Sequence, residues 1–174
     1  MRKIILILCL LVSISACKST NTGKVVTKKS RTTKTADRNP RAEKEINEVT
    51  EAIVKNAKRY KGTRYKYGGT TKRGMDCSGL IYTAFKEEDI AMPRTTGTLS
   101  THGNWVDLKK VQEGDLLFFA TSKNSRTVNH VGIVTTSRLG KVEFIHSSSS
   151  RGVMISDLAE KYWYFAFVQA RRVL

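Results

Sequence analysis

The spacing of hydrophobic residues changes character several times along the chain. Ile4 to Val12 is an unbroken apolar run, well short of the roughly 20 residues that a bilayer-spanning helix requires. Residues 18–45 carry almost no large apolar side chain. Ile46, Val49, Ile53, Ala57 and Tyr60 then recur at three- and four-residue intervals, which predicts an amphipathic helix over 44–60, stopped by Gly62. A second helix is expected from Cys77 through Leu80, Ile81, Ala84 and Phe85 to about Glu88. Beyond Pro93 the pattern shifts to strands, predicted at 115–120, 130–136, 141–146 and 165–172. Turns at Gly114-Asp115 and Leu139-Gly140 separate them. Helices first and strands after is an α+β order, without the alternation of a parallel sheet.

The N-terminal pattern reads as an address. Arg2 and Lys3 precede the apolar run, and Ser13-Ile14-Ser15-Ala16 leads with small residues into Cys17. This is the anatomy of a secretory signal, and the cysteine makes it resemble a bacterial lipoprotein signal. Residues 1–16 would then be removed and Cys17 lipidated. Residues 17–45 follow as a tether rich in Thr, Ser, Lys and Arg, too polar to offset its own chain entropy. As a coil it would reach about 25–30 Å. Residues 46–174 form the expected domain.

Charge narrows the partners. The 174 residues hold 31 Lys+Arg against 15 Asp+Glu, a net charge of +16. Residues 18–45 hold nine Lys/Arg against three Asp/Glu, and the tether's positive charge would favour anionic surfaces. Export and the absence of any base-stacking motif argue against nucleic acid. The three cysteines (Cys9, Cys17 and Cys77) are too few for a disulfide framework. No Cys-x-x-Cys or His-x-x-x-His spacing suggests zinc. With Cys9 removed and Cys17 lipidated, Cys77 is left as a free thiol in an exported protein.

Cys77 sits in Gly74-Met-Asp-Cys-Ser-Gly-Leu80, at the expected start of a helix. There, unpaired backbone N–H groups and the helix dipole should favour the thiolate. A cysteine nucleophile wants an imidazole to take its proton and later protonate the leaving amine. Of His102, His130 and His146, the last two bracket two predicted strands. If those strands form a hairpin, both imidazoles meet at one sheet edge, one as base and one as its orienter.

Six ordered segments carry a resemblance: Tyr65-Lys-Tyr-Gly-Gly69, Asp76-Cys-Ser-Gly-Leu80, Pro93-Arg-Thr-Thr96, Gly114-Asp-Leu-Leu-Phe-Phe119, His130-Val-Gly-Ile-Val134 and Phe144-Ile-His-Ser-Ser148. Together they are similar to the NlpC family of papain-like cysteine peptidases, which cut bacterial cell-wall peptides. The resemblance implies a papain-like α+β domain with N-terminal helices packed on an antiparallel sheet. It implies Cys77 as nucleophile, His130 as base and His146 as orienting residue. Tyr65 would place its hydroxyl near the oxyanion, with Asp76 and Ser78 either gripping a substrate amine or capping the helix. The expected partners are peptidoglycan peptides and, through the lipid, a membrane. A monomer facing the periplasm from the outer membrane is expected, with no metal or cofactor implied.

Two other functions use the same residues. A papain-like acyltransferase would pass the thioester to an acceptor other than water, and a non-catalytic wall-binding lipoprotein would keep the fold alone. Blander readings attach to several residues. His102 is expected in a surface loop, and Gly68-Gly69 in a turn. Trp163, Tyr164, Phe165 and Phe167 are expected to pack in the core or at the sheet edge. Arg94 and Arg151 are open between substrate carboxylates and structural ion pairs.

Overall fold

The computed structural model describes residues 39–174. The signal at 1–16, Cys17 and the tether up to residue 38 lie outside the described residues. Helix α1 spans Pro40–Lys58. Its start is set by Asn39, whose side chain accepts a hydrogen bond from the Arg41 N–H, and by Pro40 in the first turn, where a missing N–H costs nothing. The helix therefore begins ahead of its apolar stripe, and residues 40–45, expected to close the tether, are helical. A two-stranded hairpin follows, β1 (Thr70–Thr71) and β2 (Gly74–Met75), leading into α2 (Cys77–Lys86). A single turn, α3 (Thr96–Leu99), precedes β3 (Asn104–Val106) and a 3-10 turn at Leu108–Lys110.

The rest of the chain is mostly sheet. Strands β4 (Leu116–Phe119), β5 (His130–Arg138), β6 (Lys141–Ser148) and β7 (Gly152–Asp157) run in succession. Helix α4 (Lys161–Ala166) and β8 (Phe167–Arg172) complete the fold. The large sheet has the order β3-β8-β4-β5-β6-β7, every neighbouring pair antiparallel. The four predicted strands are present. Those at β3 and β7 were not anticipated: β3 has three residues, and β7 carries its apolar residues Val153, Met154 and Ile155 in a row rather than in alternation. Residues 165–166, expected to open the last strand, end α4 instead.

Both faces of the sheet are covered, which explains the unbroken apolar Leu-Leu-Phe-Phe run of β4. On one face Leu116 and Phe118 join Val131, Ile133 and Ile145 beneath Ile53, Ala57, Leu80, Ile81 and Phe85 of the two long helices. On the other, Leu117 and Phe119 pack with Val134, Phe144, Trp163 and Ala166. Tyr164 and Phe165 contradict the packing expectation: the short turn of α4 points them outward, at 62% and 67% exposure. Trp163, between Tyr162 and Tyr164, faces in at 8%.

Candidate active site

Cys77 is the first residue of α2, and the Asp76 side chain caps that helix by accepting from the Gly79 N–H at 2.6 Å. The other Asp76 oxygen accepts from the Gly68 N–H at 2.7 Å. Arg94 closes on both oxygens, at 2.9 and 3.0 Å, and also donates to Ser78 Oγ at 2.8 Å. Burial alone would raise the Asp76 pKa, but Arg94 and the two backbone N–H groups outweigh it and hold the carboxyl below the ordinary range. Asp76 caps the helix, while Ser78 takes no part in the cap and its Oγ instead donates to Asp76 Oδ1 at 3.3 Å. Arg94, left open between substrate and ion pair, forms an ion pair with Asp76. Gly79 permits this assembly, since a Cβ there would lie 2.1 Å from the Gly69 carbonyl oxygen.

The imidazoles come together as the hairpin expectation required. β5 and β6 pair antiparallel, and His130 Nε2 lies 3.0 Å from His146 Nδ1. On its far side, His146 Nε2 lies 3.0 Å from Ser156 Oγ of β7. Trp163 stacks on His130 with centroids 5.4 Å apart and planes 24° from parallel, and also meets His146 edge-on at 4.6 Å. Gly132, two residues after His130 on β5 and against the His146 strand, has no room for a side chain. A Cβ there would sit 2.6 Å from the Phe144 ring and 3.2 Å from the His146 Cβ. Burial pushes the His130 pKa down from 6.5 to about 4. Burial, then the neighbouring charges of His130 and Arg151, take His146 down to about 3. Both rings are neutral near pH 7, so each carries one N–H.

Cys77 departs from expectation in its protonation. Burial pushes its thiol up, and this outweighs the Thr96 hydroxyl and the backbone hydrogen bonds of Val131 and Ser78, while the Asp76 charge adds to the rise. The helix N-terminus was expected to favour the thiolate, but the desolvation of a buried sulfur is the larger effect. Sγ lies 3.5 Å from Thr96 Oγ1, and no hydrogen bond joins it to either imidazole in this resting arrangement. Catalytic contacts often tighten only when substrate is bound.

Two cavities, of about 370 and 420 Å³, meet at Cys77, and Tyr65 and Asn129 line both as well. The first is walled by Tyr67, Arg94 and Thr96; the second by His130, Ser148, Arg151, Tyr162 and Trp163. The Tyr65 pKa is raised by burial and then by the Cys77 and Asp76 charges. His102 is half-buried in the loop before β3, outside both cavities. Thr96 and Trp163 are contacts that sequence reasoning missed. Thr96 was already inside a quoted segment, and Trp163 was read only as packing. Among the described residues no cluster of His, Cys, Asp and Glu could hold a metal ion.

The NlpC/P60 family pattern matches residues 62–172, a segment that contains Cys77, the histidine pair and the residues lining both cavities. The chain belongs to the NlpC/P60 family. It is 34% identical to the murein DD-endopeptidase MepS/murein LD-carboxypeptidase of Escherichia coli K12, over 94% of this chain and 87% of that protein. It is 42% identical to the endopeptidase NlpC homologue of Haemophilus influenzae over 65% of this chain, but spans only 57% of that relative's length. The crystal structure of an NlpC/P60 family protein from Bacillus cereus superposes with a TM-score of 0.65 and 32% identity. That match covers 72% of this chain and 40% of the other. The NlpC/P60 fold of helices against a six-stranded antiparallel sheet is thus shared with proteins of known structure.

Proposed function

We propose that this NlpC/P60 protein is a cell-wall hydrolase that cleaves peptide cross-links of peptidoglycan by cysteine catalysis. The observation that carries the reading is Cys77 at the junction of two cavities, beside a hydrogen-bonded histidine pair. A nucleophile with room on both sides suits a substrate that continues on both sides of the scissile amide. The similarity to MepS, named as a murein DD-endopeptidase, supports the cross-link as the bond.

In the proposed reaction the Cys77 S–H proton passes to Nδ1 of His130, and the sulfur attacks the amide carbonyl carbon. Donors near the developing oxyanion are the backbone N–H of Cys77 and the Tyr65 hydroxyl, in the role the family resemblance gives it. The intermediate collapses to a thioester as His130 protonates the departing amine. Water, deprotonated by His130, then attacks the thioester carbonyl, and the sulfur leaves with the proton. His146 accepts from His130 Nε2–H while His130 carries the charge. Asp76 and Ser78 shape one cavity, and Asp76 fixes the start of α2. Arg151 is exposed on the other cavity and forms no ion pair among the described residues, so it is available to a substrate carboxylate.

The proposal extends to the cell envelope. The domain at 46–174 would work from a lipid on Cys17 through the basic tether, after removal of residues 1–16. Outer-membrane attachment facing the periplasm fits a substrate that lies in that compartment.

The test is digestion of purified peptidoglycan sacculi by the full chain in detergent, beside Cys77→Ala, with products read by mass spectrometry. Cross-linked peptides should be converted to monomers by the wild type alone. An unchanged profile with folded wild-type protein would overturn the hydrolase reading. Transfer of the acyl group to an added amine in place of water would favour the acyltransferase.

A further inference from the structure

A pair of neutral imidazoles joined by one hydrogen bond can hold its shared proton in two ways, and only one permits catalysis. His130 spends Nε2 on His146, so Nδ1 is the nitrogen left for the cavity it shares with Cys77. For Nδ1 to act as a base, the His130 proton must sit on Nε2 and be donated to His146 Nδ1. His146 then carries its own proton on Nε2. In the opposite arrangement His146 Nδ1–H donates to His130 Nε2. His130 is then protonated on Nδ1 and cannot accept from the thiol.

The two arrangements differ at the far end of the chain: the first leaves a buried N–H on His146 Nε2 that needs an acceptor, and the second leaves only a lone pair there, to which a hydroxyl can donate. His146 is 0% exposed, packed against Phe144 and Trp163, so an N–H on its Nε2 has nowhere to go but Ser156. Ser156 is itself buried, and its Oγ lies 3.0 Å from that nitrogen. The placement follows from strand register. His146 pairs with Met154, so Ser156, two residues on, is its diagonal neighbour on the same face of the sheet. Arg151, whose charge also acts on His146, carries only donors and so cannot substitute for the serine.

We propose that Ser156 is a positioning residue for the proposed cysteine catalysis, accepting the His146 Nε2–H and thereby holding His130 in the tautomer whose Nδ1 is free to take the Cys77 proton. The inference rests on the catalytic reading of Cys77 and His130 given above. It extends the hydrogen-bonded chain by one member, Ser156 behind His146 behind His130. Without the hydroxyl, an unpaired N–H on a buried ring is costly, and the pair relaxes to the arrangement in which His130 Nδ1 is protonated.

The experiment compares full-length wild type, Ser156→Ala and Ser156→Thr on purified peptidoglycan, with Cys77→Ala and His130→Ala alongside. Histidine tautomers are read by ¹⁵N NMR of the imidazoles. In Ser156→Ala, kcat should fall about 10- to 100-fold, part of the roughly 10²- to 10⁴-fold that a positioned base supplies. KM should stay within about twofold, because no substrate contact is lost. The His146 proton should move from Nε2 to Nδ1, and Ser156→Thr, which keeps the hydroxyl, should restore both signals. Wild-type kcat in Ser156→Ala, or a loss of kcat with the His146 tautomer unchanged, would overturn the assignment. If Cys77→Ala or His130→Ala stays active, the catalytic reading itself fails. If both are inactive while Ser156→Ala behaves as wild type, only the role of Ser156 fails.

Discussion

Acid should weaken this domain through its histidine pair before its carboxylates are reached. Burial takes His130 from 6.5 to about 4, and burial with the neighbouring charges takes His146 to about 3. Between these values and 6.5 the unfolded chain binds protons that the folded chain refuses. A folded pKa below the unfolded one means stability is complete above pH 6.5 and declines as the pH falls. Each refused proton costs about 1.4 kcal/mol per pH unit, so two imidazoles give a slope of about 2.7 kcal/mol per unit between pH 6.5 and roughly 4. Replacing His146 by Gln keeps an acceptor for His130 Nε2 and removes one titrating ring. The slope should then fall by about 1.4 kcal/mol per unit, to half its wild-type value. Urea denaturation at half-unit steps from pH 7.5 to 4.5 measures both slopes. Asp76 does not confuse the window. Its pKa is depressed below 3.8, so the stability it contributes is lost only as the pH falls through that lower value. Equal slopes in the two proteins would refute the reasoning, because they would mean that His146 titrates alike folded and unfolded.

The same burial should show in catalysis: the acid limb of kcat/KM should lie near pH 4, and a limb near 6.5 would mean His130 is solvated in the working enzyme. Asp76→Asn leaves Arg94 without its counter-charge and weakens the α2 cap. It should cost about 2–4 kcal/mol in urea denaturation, and a loss below about 0.5 would contradict the capping role. Gly132→Ala drives a methyl to 2.9 Å from the Ile145 carbonyl oxygen as well as into Phe144. It should cost about 1–3 kcal/mol from overpacking, with a loss of kcat well beyond that destabilisation because His146 is displaced. An alanine variant with wild-type kcat would show that the histidine pair tolerates the shift.

Much of the fold was legible because burial imposes a period. The 3.6-residue stripe through Val49, Ile53 and Ala57 marks α1 because that face packs into the core, while Ile46 stays 45% exposed and Tyr60 lies past the helix end at Lys58. Residues 116–119 read as a strand because both their faces are covered. Elements too short for a period to accumulate were invisible, among them β3, α3 and α4, and β7 was missed because its apolar residues stand in a row. The start of α1 was misplaced because apolar spacing does not report capping, although Asn39-Pro40 carried that signal. At the site, Cys77 was conspicuous as the thiol left over, and His130 and His146 as the ends of neighbouring strands. Ser156 carried no comparable mark, since a serine in an unanticipated strand looks like any surface hydroxyl.

The sequence by itself determined which residues could do chemistry and roughly where the chain bends them together. A cysteine after an Asp at an expected helix start, and two histidines at the ends of successive predicted strands, are one-dimensional facts. Protonation was decided elsewhere. The helix N-terminus favours a thiolate in any sequence that places Cys there, yet the Cys77 pKa is raised because the fold buries the sulfur. Two histidines in a row of residues say nothing of tautomer; strand register puts Ser156 behind one of them and a cavity in front of the other. Arg94 and Arg151 are equivalent on paper, and only packing gives the first to Asp76 and leaves the second facing the cleft. Local spacing sets which groups are near in the chain. Desolvation and hydrogen-bond partners depend on what arrives from far away in it, and those fix where the protons sit.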